Sequence, residues 1–182
     1  MNDLIWRALG TLIAVAFLAG SVRAAVRIYG LDQKIQWRPL TAVLMCLFAL
    51  DWLAYFMGLN SEVVDPTDFF LVAHPDGIDL FDDIINSVVA APIFEELMFR
   101  GVLFMGLMSR LGAKGAAVLS SVLFAVLHTQ YDLYSLVLVG IFGCACCWLV
   151  WKTGSLKTGI VLHMIYNGLL TLDVYLFYQR PL

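Results

Sequence analysis

The sequence predicts an all-α fold, a polytopic helical bundle with about six membrane-spanning helices. Of the 182 residues, 62% are hydrophobic and only 14% are charged, whereas a typical soluble domain is roughly half apolar and a quarter charged. The apolar residues gather in segments close to the length of about 20 residues that a helix needs to cross a bilayer. We therefore expect lipid to surround much of the chain.

Six segments have the length and hydropathy of a membrane span. The first begins like a signal sequence, but it lacks a small-residue cleavage site, so we interpret it as a retained span. The others follow one another with mostly short polar connections, as expected for antiparallel neighbours in a helical bundle. The predicted spans are 4–22, 39–59, 83–108, 113–130, 133–151 and 156–178.

The one long connection, at 60–82, is acidic and is expected to lie outside the membrane. No internal repeat and no change of composition marks a second domain, so we predict a single integral membrane domain over residues 1–182. The acidic residues of this loop include Glu62, Asp65, Asp68, Asp76 and Asp79.

Lys and Arg are distributed unevenly between the connections. They occur in the first, third and fifth connections, and the second and fourth carry none. Because short cytoplasmic loops are enriched in Lys and Arg, the pattern predicts that odd-numbered connections are inside and that both termini are outside. The residues concerned are Arg23, Arg27, Lys34, Arg38, Arg110, Lys114, Lys152 and Lys157.

Charge and cysteine content exclude several kinds of partner. The formal net charge is −3, and no long run of Lys or Arg forms a basic patch, so we expect no nucleic-acid partner. The four cysteines, Cys46, Cys144, Cys146 and Cys147, lie in apolar stretches without the spacing of a zinc site. We interpret them as packing residues, and we expect no cofactor.

The third span contains two acids and a base among apolar residues. Glu95, Glu96 and Arg100 lie within six positions, and one charged side chain at the centre of a span costs about 2.5–3.5 kcal/mol. They must therefore face protein or water. Glu96 and Arg100 have the spacing of a helical ion pair, which leaves Glu95 as the proton acceptor. Pro92 is expected to bend the helix and free a backbone carbonyl near Val88.

Two other spans carry polar side chains at helical spacing. Phe124 and His128 share a face of the fourth span, and His163 and Asn167 share a face of the sixth. Each pair alone is typical of hydrogen bonding between helices, and the acidic cluster alone is compatible with a structural salt bridge. Together they provide a carboxylate, a water-holding imidazole and two oxyanion donors, the groups that peptide hydrolysis needs.

These patterns resemble, in order, the three motifs of the CAAX protease and bacteriocin-processing family, also called CPBP or Abi. The resemblance covers about 83–178 and implies a glutamate intramembrane protease that cleaves a peptide or protein substrate in the membrane. The patterns are Glu95-Glu96-x-x-x-Arg100, Phe124-x-x-x-His128 and His163-x-x-x-Asn167.

The resemblance also implies a role for each motif residue. Glu95 and His128 are expected to activate the attacking water. His163 and Asn167 are expected to stabilise the oxyanion. The acid and base that complete the first motif, Glu96 and Arg100, are expected to support and orient the site.

The length of the chain narrows the expected class of substrate. It is shorter than the eukaryotic prenyl-protein proteases of the family and is more similar to bacterial or archaeal members. We therefore expect a multi-pass protein of a prokaryotic inner membrane. Its substrate would be a membrane-associated or exported peptide or protein.

Two alternatives remain open from the residues alone. Glu95, His128 and His163 are side-chain types that also bind zinc or iron, which would make the chain a metalloprotease or an ion transporter. The sequence lacks the His-Glu-x-x-His pattern that places two ligands on one helix face. The other alternative is a non-catalytic immunity or peptide-binding protein that uses the same cavity.

Asp51 is a further acid inside an apolar segment, the second predicted span. One interpretation is a proton relay or a contact with substrate. The other is a carboxyl group that hydrogen-bonds to a neighbouring helix.

Overall fold

The computed structural model describes residues 22–57 and 84–177, and it confirms the all-α class. These residues form helices with short connections and no strand. The helices are α1 (Val22–Ile28), α2 (Trp37–Phe56), a π-helical turn (Asn86–Ala90), α3 (Ala91–Glu96), a π-helical segment (Leu97–Phe104), α4 (Met105–Val126), α5 (Leu133–Thr153) and α6 (Leu156–Phe177).

The helices follow the hydropathy of the sequence. Two of them contain windows long and apolar enough to cross a membrane, Trp37–Ala54 in α2 and Leu133–Thr153 in α5. The predicted span at 4–22 and the acidic loop at 60–82 lie outside the described residues. The count of six spans and the single-domain organisation therefore stay predictions.

A break at Gly112 separates the predicted third and fourth spans. Its φ of 68° and ψ of 170° are not helical, and a positive φ is a conformation that glycine adopts without steric strain. The chain reverses there, because Ala116 packs beside Phe104 and Ser120 Oγ donates a hydrogen bond of 2.7 Å to the carbonyl of Phe99. We call the continuous helical stretch at 86–111 the glutamate helix.

Helix α6 runs antiparallel to the glutamate helix, and this pairing positions the candidate site. Contacts between the two helices occur at three levels, each nearer to the α6 C-terminus than the one before. They join Gly101 to Leu156, Glu96 to His163, and Ser87 to Asn167.

The first and fifth connections touch at one end of the bundle. The backbone N–H of Leu156 donates to the carbonyl of Tyr29 at 2.9 Å, and Gln36 Nε2 donates to the carbonyl of Thr153 at 3.1 Å. The third connection follows Gly101, which lies beside Leu156, and it therefore belongs to the same end. This agrees with the grouping that the Lys and Arg pattern predicts.

Close approach of small residues brings α4 and α5 together. A Cβ atom added to Gly143 would lie 3.0 Å from the Cβ of Ser121, so any larger residue at 143 would force the helices apart. Small residues at helix contacts are typical of membrane bundles. The outer faces carry exposed apolar side chains such as Leu133 and Val122, as expected where lipid is the solvent.

Candidate active site

Glu96 and Arg100 form a fully buried ion pair. Arg100 Nη1 lies 3.0 Å from Glu96 Oε1, and both side chains are 0% exposed, so the i, i+4 pair expected from the sequence is present. The guanidinium carbon also lies 4.4 Å from the centroid of the Phe124 ring, within cation–π distance. The two charges thus meet each other and an aromatic face inside the protein.

His163 lies between the two glutamates. Its Nδ1 is 3.1 Å from Glu96 Oε1, a hydrogen bond, and its Nε2 is 3.7 Å from Glu95 Oε2. A carboxylate accepts hydrogen bonds, so Nδ1 is the donor to Glu96. Nε2 is then the ring nitrogen that faces Glu95.

Glu95 is the exposed member of this group. Its side chain retains 23% exposure, compared with 0% for Glu96 and 4% for His163. It lies within electrostatic range of both His128 and His163. A carboxylate in this position can reach water or substrate while the Glu96 carboxylate cannot, and the unequal division expected from helix spacing is observed.

His128 is oriented by the backbone of its own helix. Its Nδ1 lies 2.8 Å from the carbonyl oxygen of Phe124, which can only accept, so Nδ1 carries the proton. The neutral ring therefore presents Nε2 as a hydrogen-bond acceptor. The ring also packs against Phe124 at 4.7 Å and stacks on Tyr131 at 5.9 Å between centroids.

Asn167 hydrogen-bonds to the bend of the glutamate helix. Its Nδ2 donates to the carbonyl of Ser87 at 2.9 Å. In this π-helical turn Ala91 N–H bonds to the carbonyl of Asn86, five residues back, so the next donor in the register is Pro92. Proline has no N–H, and the Asn167 amide supplies the missing hydrogen bond.

The freed carbonyl that Asn167 contacts is therefore that of Ser87. The expected neighbour of the proline gap was Val88, which is where an α-helical register would place it. The difference of one residue follows from the wider π-helical turn, a feature that often occurs at functional sites.

Two phenylalanines enclose the imidazole of His163. Phe142 of α5 meets it in a T-shaped contact at 4.7 Å, and Phe124 of α4 meets it at 6.1 Å, also edge-on. Phe124 is thus in contact with His128, His163 and Arg100. The sequence placed Phe124 with His128 alone, because contacts between helices leave no mark in a single helix's spacing.

Two more residues beside Glu96 were not predicted as part of the site. The thiol of Cys146 adjoins the carboxylate, and a Cβ added to Gly159 would lie 3.2 Å from Glu96 Oε2. Both residues are small and buried, which lets α5 and α6 approach the ion pair. Neither has a sequence signal beyond being small within a span.

Asp51 is hydrogen-bonded to a neighbouring helix. The hydroxyl of Tyr166 on α6 donates to Asp51 Oδ2 on α2 at 2.9 Å. This is the second of the two interpretations that the sequence left open. Tyr166 lies between His163 and Asn167 in the chain, and its phenol was a polar signal that the motif spacing passed over.

The structure thus brings Glu95, Glu96, Arg100 and His163 into one cluster, with His128 within electrostatic range of Glu95. Asn167 lies one helical turn along α6 and contacts the same glutamate helix. Within residues 22–57 and 84–177, no three His, Cys, Asp or Glu side chains are arranged to hold a metal ion.

Comparison with known proteins gives the family. The family described as Type II CAAX prenyl endopeptidase Rce1-like matches residues 79–169, half of the 182-residue chain. No curated protein and no solved structure matches the chain. The matched range includes all three sequence motifs and the acidic cluster, and it confirms the resemblance drawn from them. The chain therefore belongs to the Rce1-like family of CAAX endopeptidases, which makes it an integral membrane protein of the peptide hydrolase class.

Proposed function

We propose that the protein is an intramembrane endopeptidase of the glutamate type, with Glu95 as general base. The observation that carries the proposal is the position of His163 between a buried, charge-paired Glu96 and a partly exposed Glu95. A purely structural salt bridge needs Glu96 and Arg100 and gives no role to a second, accessible carboxylate.

In the proposed reaction, Glu95 removes a proton from a water molecule whose other hydrogen is donated to His128 Nε2. The water oxygen attacks the carbonyl carbon of the peptide bond, and the carbonyl oxygen becomes an oxyanion. The C–N bond then breaks as the proton held by Glu95 passes to the leaving nitrogen. The products are a carboxylic acid and an amine.

The oxyanion would be stabilised by donors on α6. His163 donates through Nδ1 to Glu96, so in the doubly protonated ring Nε2–H is the second donor and is directed toward the side of Glu95. The Asn167 amide has one hydrogen on the Ser87 carbonyl and a second hydrogen for the oxyanion. Removing one oxyanion donor typically lowers kcat by about 10²–10³-fold.

The expected substrate is a peptide or protein held in the membrane, because the exposed outer faces of the bundle are apolar and Glu95 lies within a predicted span. We propose a multi-pass protein of a prokaryotic inner membrane as the setting. The CAAX name belongs to the family, and the chain's own substrate is the quantity that the experiment below identifies.

The test compares peptides released from membranes that contain the wild-type protein or Glu95→Gln, using mass spectrometry. Wild-type membranes are expected to release a peptide that Glu95→Gln membranes do not, since loss of a general base costs about 10²–10⁴-fold. Asp173→Asn serves as control, because Asp173 is an exposed carboxylate on α6. An active Glu95→Gln protein would refute the mechanism.

A second measurement separates this mechanism from a metal-dependent one. The same assay is repeated after treatment with a chelator such as 1,10-phenanthroline. Unchanged release is expected for a glutamate mechanism. Loss of release that zinc restores would support the metalloprotease alternative instead.

A further inference from the structure

We infer that Asp51 and Tyr166 form a positioning pair that holds the α6 side of the site. The inference rests on the proposed function for its kinetic consequence. The pair joins a residue of α2, outside the range that the family matches, to the helix that carries His163 and Asn167.

The first step of the argument is where Tyr166 lies on α6. It follows His163 by three positions and directly precedes Asn167, so its backbone cannot rotate about the helix axis without moving both. Rotation of α6 would change the 3.1 Å contact of His163 with Glu96 and the 2.9 Å contact of Asn167 with Ser87. A fixed Tyr166 side chain therefore opposes that rotation.

The second step is the aromatic contact between Tyr166 and His163. The Tyr166 ring stacks on Phe142 with centroids 4.9 Å apart, and Phe142 meets the His163 ring edge-on at 4.7 Å. Phe48 of α2 packs on Tyr166 at 5.4 Å. The phenol ring is thus held between α2 and α5, and a shift of that ring presses on the ring next to His163.

The third step is the chemistry of the bond itself. Asp51 is a half-buried carboxylate on an otherwise apolar helix, and its Oδ2 accepts the Tyr166 hydroxyl at 2.9 Å. A hydrogen bond fixes both distance and direction, which the apolar packing of Phe48 alone does not. Toward the other end of the bundle, Gln36 ties the start of α2 to the carbonyl of Thr153, so α2 is held at two levels.

The kinetic test uses the peptide that the wild type releases. Tyr166→Phe removes the hydroxyl and keeps the ring, and it is expected to lower kcat about tenfold with KM changed less than twofold. Asp51→Ala is expected to match it, and the double variant is expected to fall no further. Asp51→Asn retains an acceptor oxygen and is expected to recover most of the activity.

A spectroscopic measurement keeps the inference independent of the proposed protease activity. The chain has three histidines, so the ring nitrogens of His163 can be assigned by ¹⁵N NMR in lipid nanodiscs. Tyr166→Phe and Asp51→Ala are expected to shift the Nδ1 and Nε2 signals of His163. Asp173→Asn is expected to leave them unchanged.

The outcomes separate the two proposals. Unchanged His163 signals in Tyr166→Phe and Asp51→Ala would overturn the positioning pair, whatever the proteolytic result. Shifted signals in a protein that releases no peptide would support the pair and refute the protease. Lower melting temperature with unchanged His163 signals and unchanged kcat would show a merely structural bond and would also overturn the inference.

Discussion

The Asn167 amide donates a 2.9 Å hydrogen bond to the carbonyl of Ser87, at the bend of the glutamate helix. The donor that the π-helical register assigns to this carbonyl is residue 92, a proline. One motif residue on α6 thus completes the backbone of the helix that carries Glu95. Bend and site geometry are coupled through this contact.

Asn167→Ala is expected to destabilise the protein as well as to lower its activity. It leaves the Ser87 carbonyl without the side-chain donor, a loss of about 1–3 kcal/mol for a buried acceptor. The free energy of unfolding in detergent, followed by tryptophan fluorescence, measures this change.

Pro92→Ala is the matched variant for that experiment. It restores a backbone N–H at the position that the π-helical register assigns to Ser87, so in the Asn167→Ala background it is expected to recover part of the lost stability. If the two effects simply add, the proposed link between the proline gap and Asn167 is wrong.

Glu96→Gln and Glu95→Gln are expected to affect different properties. Glu96→Gln leaves a fully buried Arg100 without its counter-charge, which typically costs about 3–5 kcal/mol. Glu95→Gln changes a partly exposed carboxylate and is expected to stay within about 1 kcal/mol of the wild type while abolishing cleavage. Thermal unfolding of the two purified variants distinguishes them, and equal destabilisation would contradict the assignment of separate roles.

Gly159→Ala is expected to disturb the site through packing alone. The added Cβ would lie 2.8 Å from Val150 Cγ2 and 3.2 Å from Glu96 Oε2, and overpacking of this kind costs about 1–3 kcal/mol. Activity is expected to fall because the Glu96 carboxylate holds His163.

Gly106→Ala is the control for that substitution. Gly106 is also helical, and a Cβ there meets nothing within 4 Å. Alanine is favoured over glycine in a helix by about 0.5–1 kcal/mol, so this variant is expected to be as stable as the wild type or slightly more so. Equal loss in both glycine variants would mean that contact with Glu96 is not the cause.

The Lys and Arg connections are expected to lie on one side of the membrane. The hydrogen bonds of Gln36 to Thr153 and of Leu156 to Tyr29 join the first and fifth connections, and the antiparallel pairing of α6 brings the third to the same end. Cysteines introduced singly at Lys34, Arg110 and Lys152 in a cysteine-free background should react with an impermeant thiol reagent from the same side. Labelling of one site from the opposite side would contradict this topology.

Much of the bundle could be predicted from hydropathy and spacing. The predicted spans at 39–59, 133–151 and 156–178 correspond closely to Trp37–Phe56, Leu133–Thr153 and Leu156–Phe177, because segment length and apolar composition are local properties. The Glu96–Arg100 pair was predictable for the same reason, since an i, i+4 contact lies within one helix.

The π-helical turns were not predictable in this way. Pro92 indicated a bend, but the sequence placed the freed carbonyl near Val88, and the register that moves it to Ser87 is fixed by packing against α6. Hydropathy carries no information about a difference between four-residue and five-residue hydrogen bonding.

By itself the sequence determined the helical class, the order of the motifs and the unequal neighbourhoods of Glu95 and Glu96. Only the tertiary structure decided which groups meet: Glu96 with His163, Ser87 with Asn167, and Asp51 with Tyr166, at separations of 67, 80 and 115 residues along the chain. The reason is physical. Spacing within a helix fixes which side chains share a face, whereas the rotation and axial register of one helix against another depend on the packing of the whole bundle.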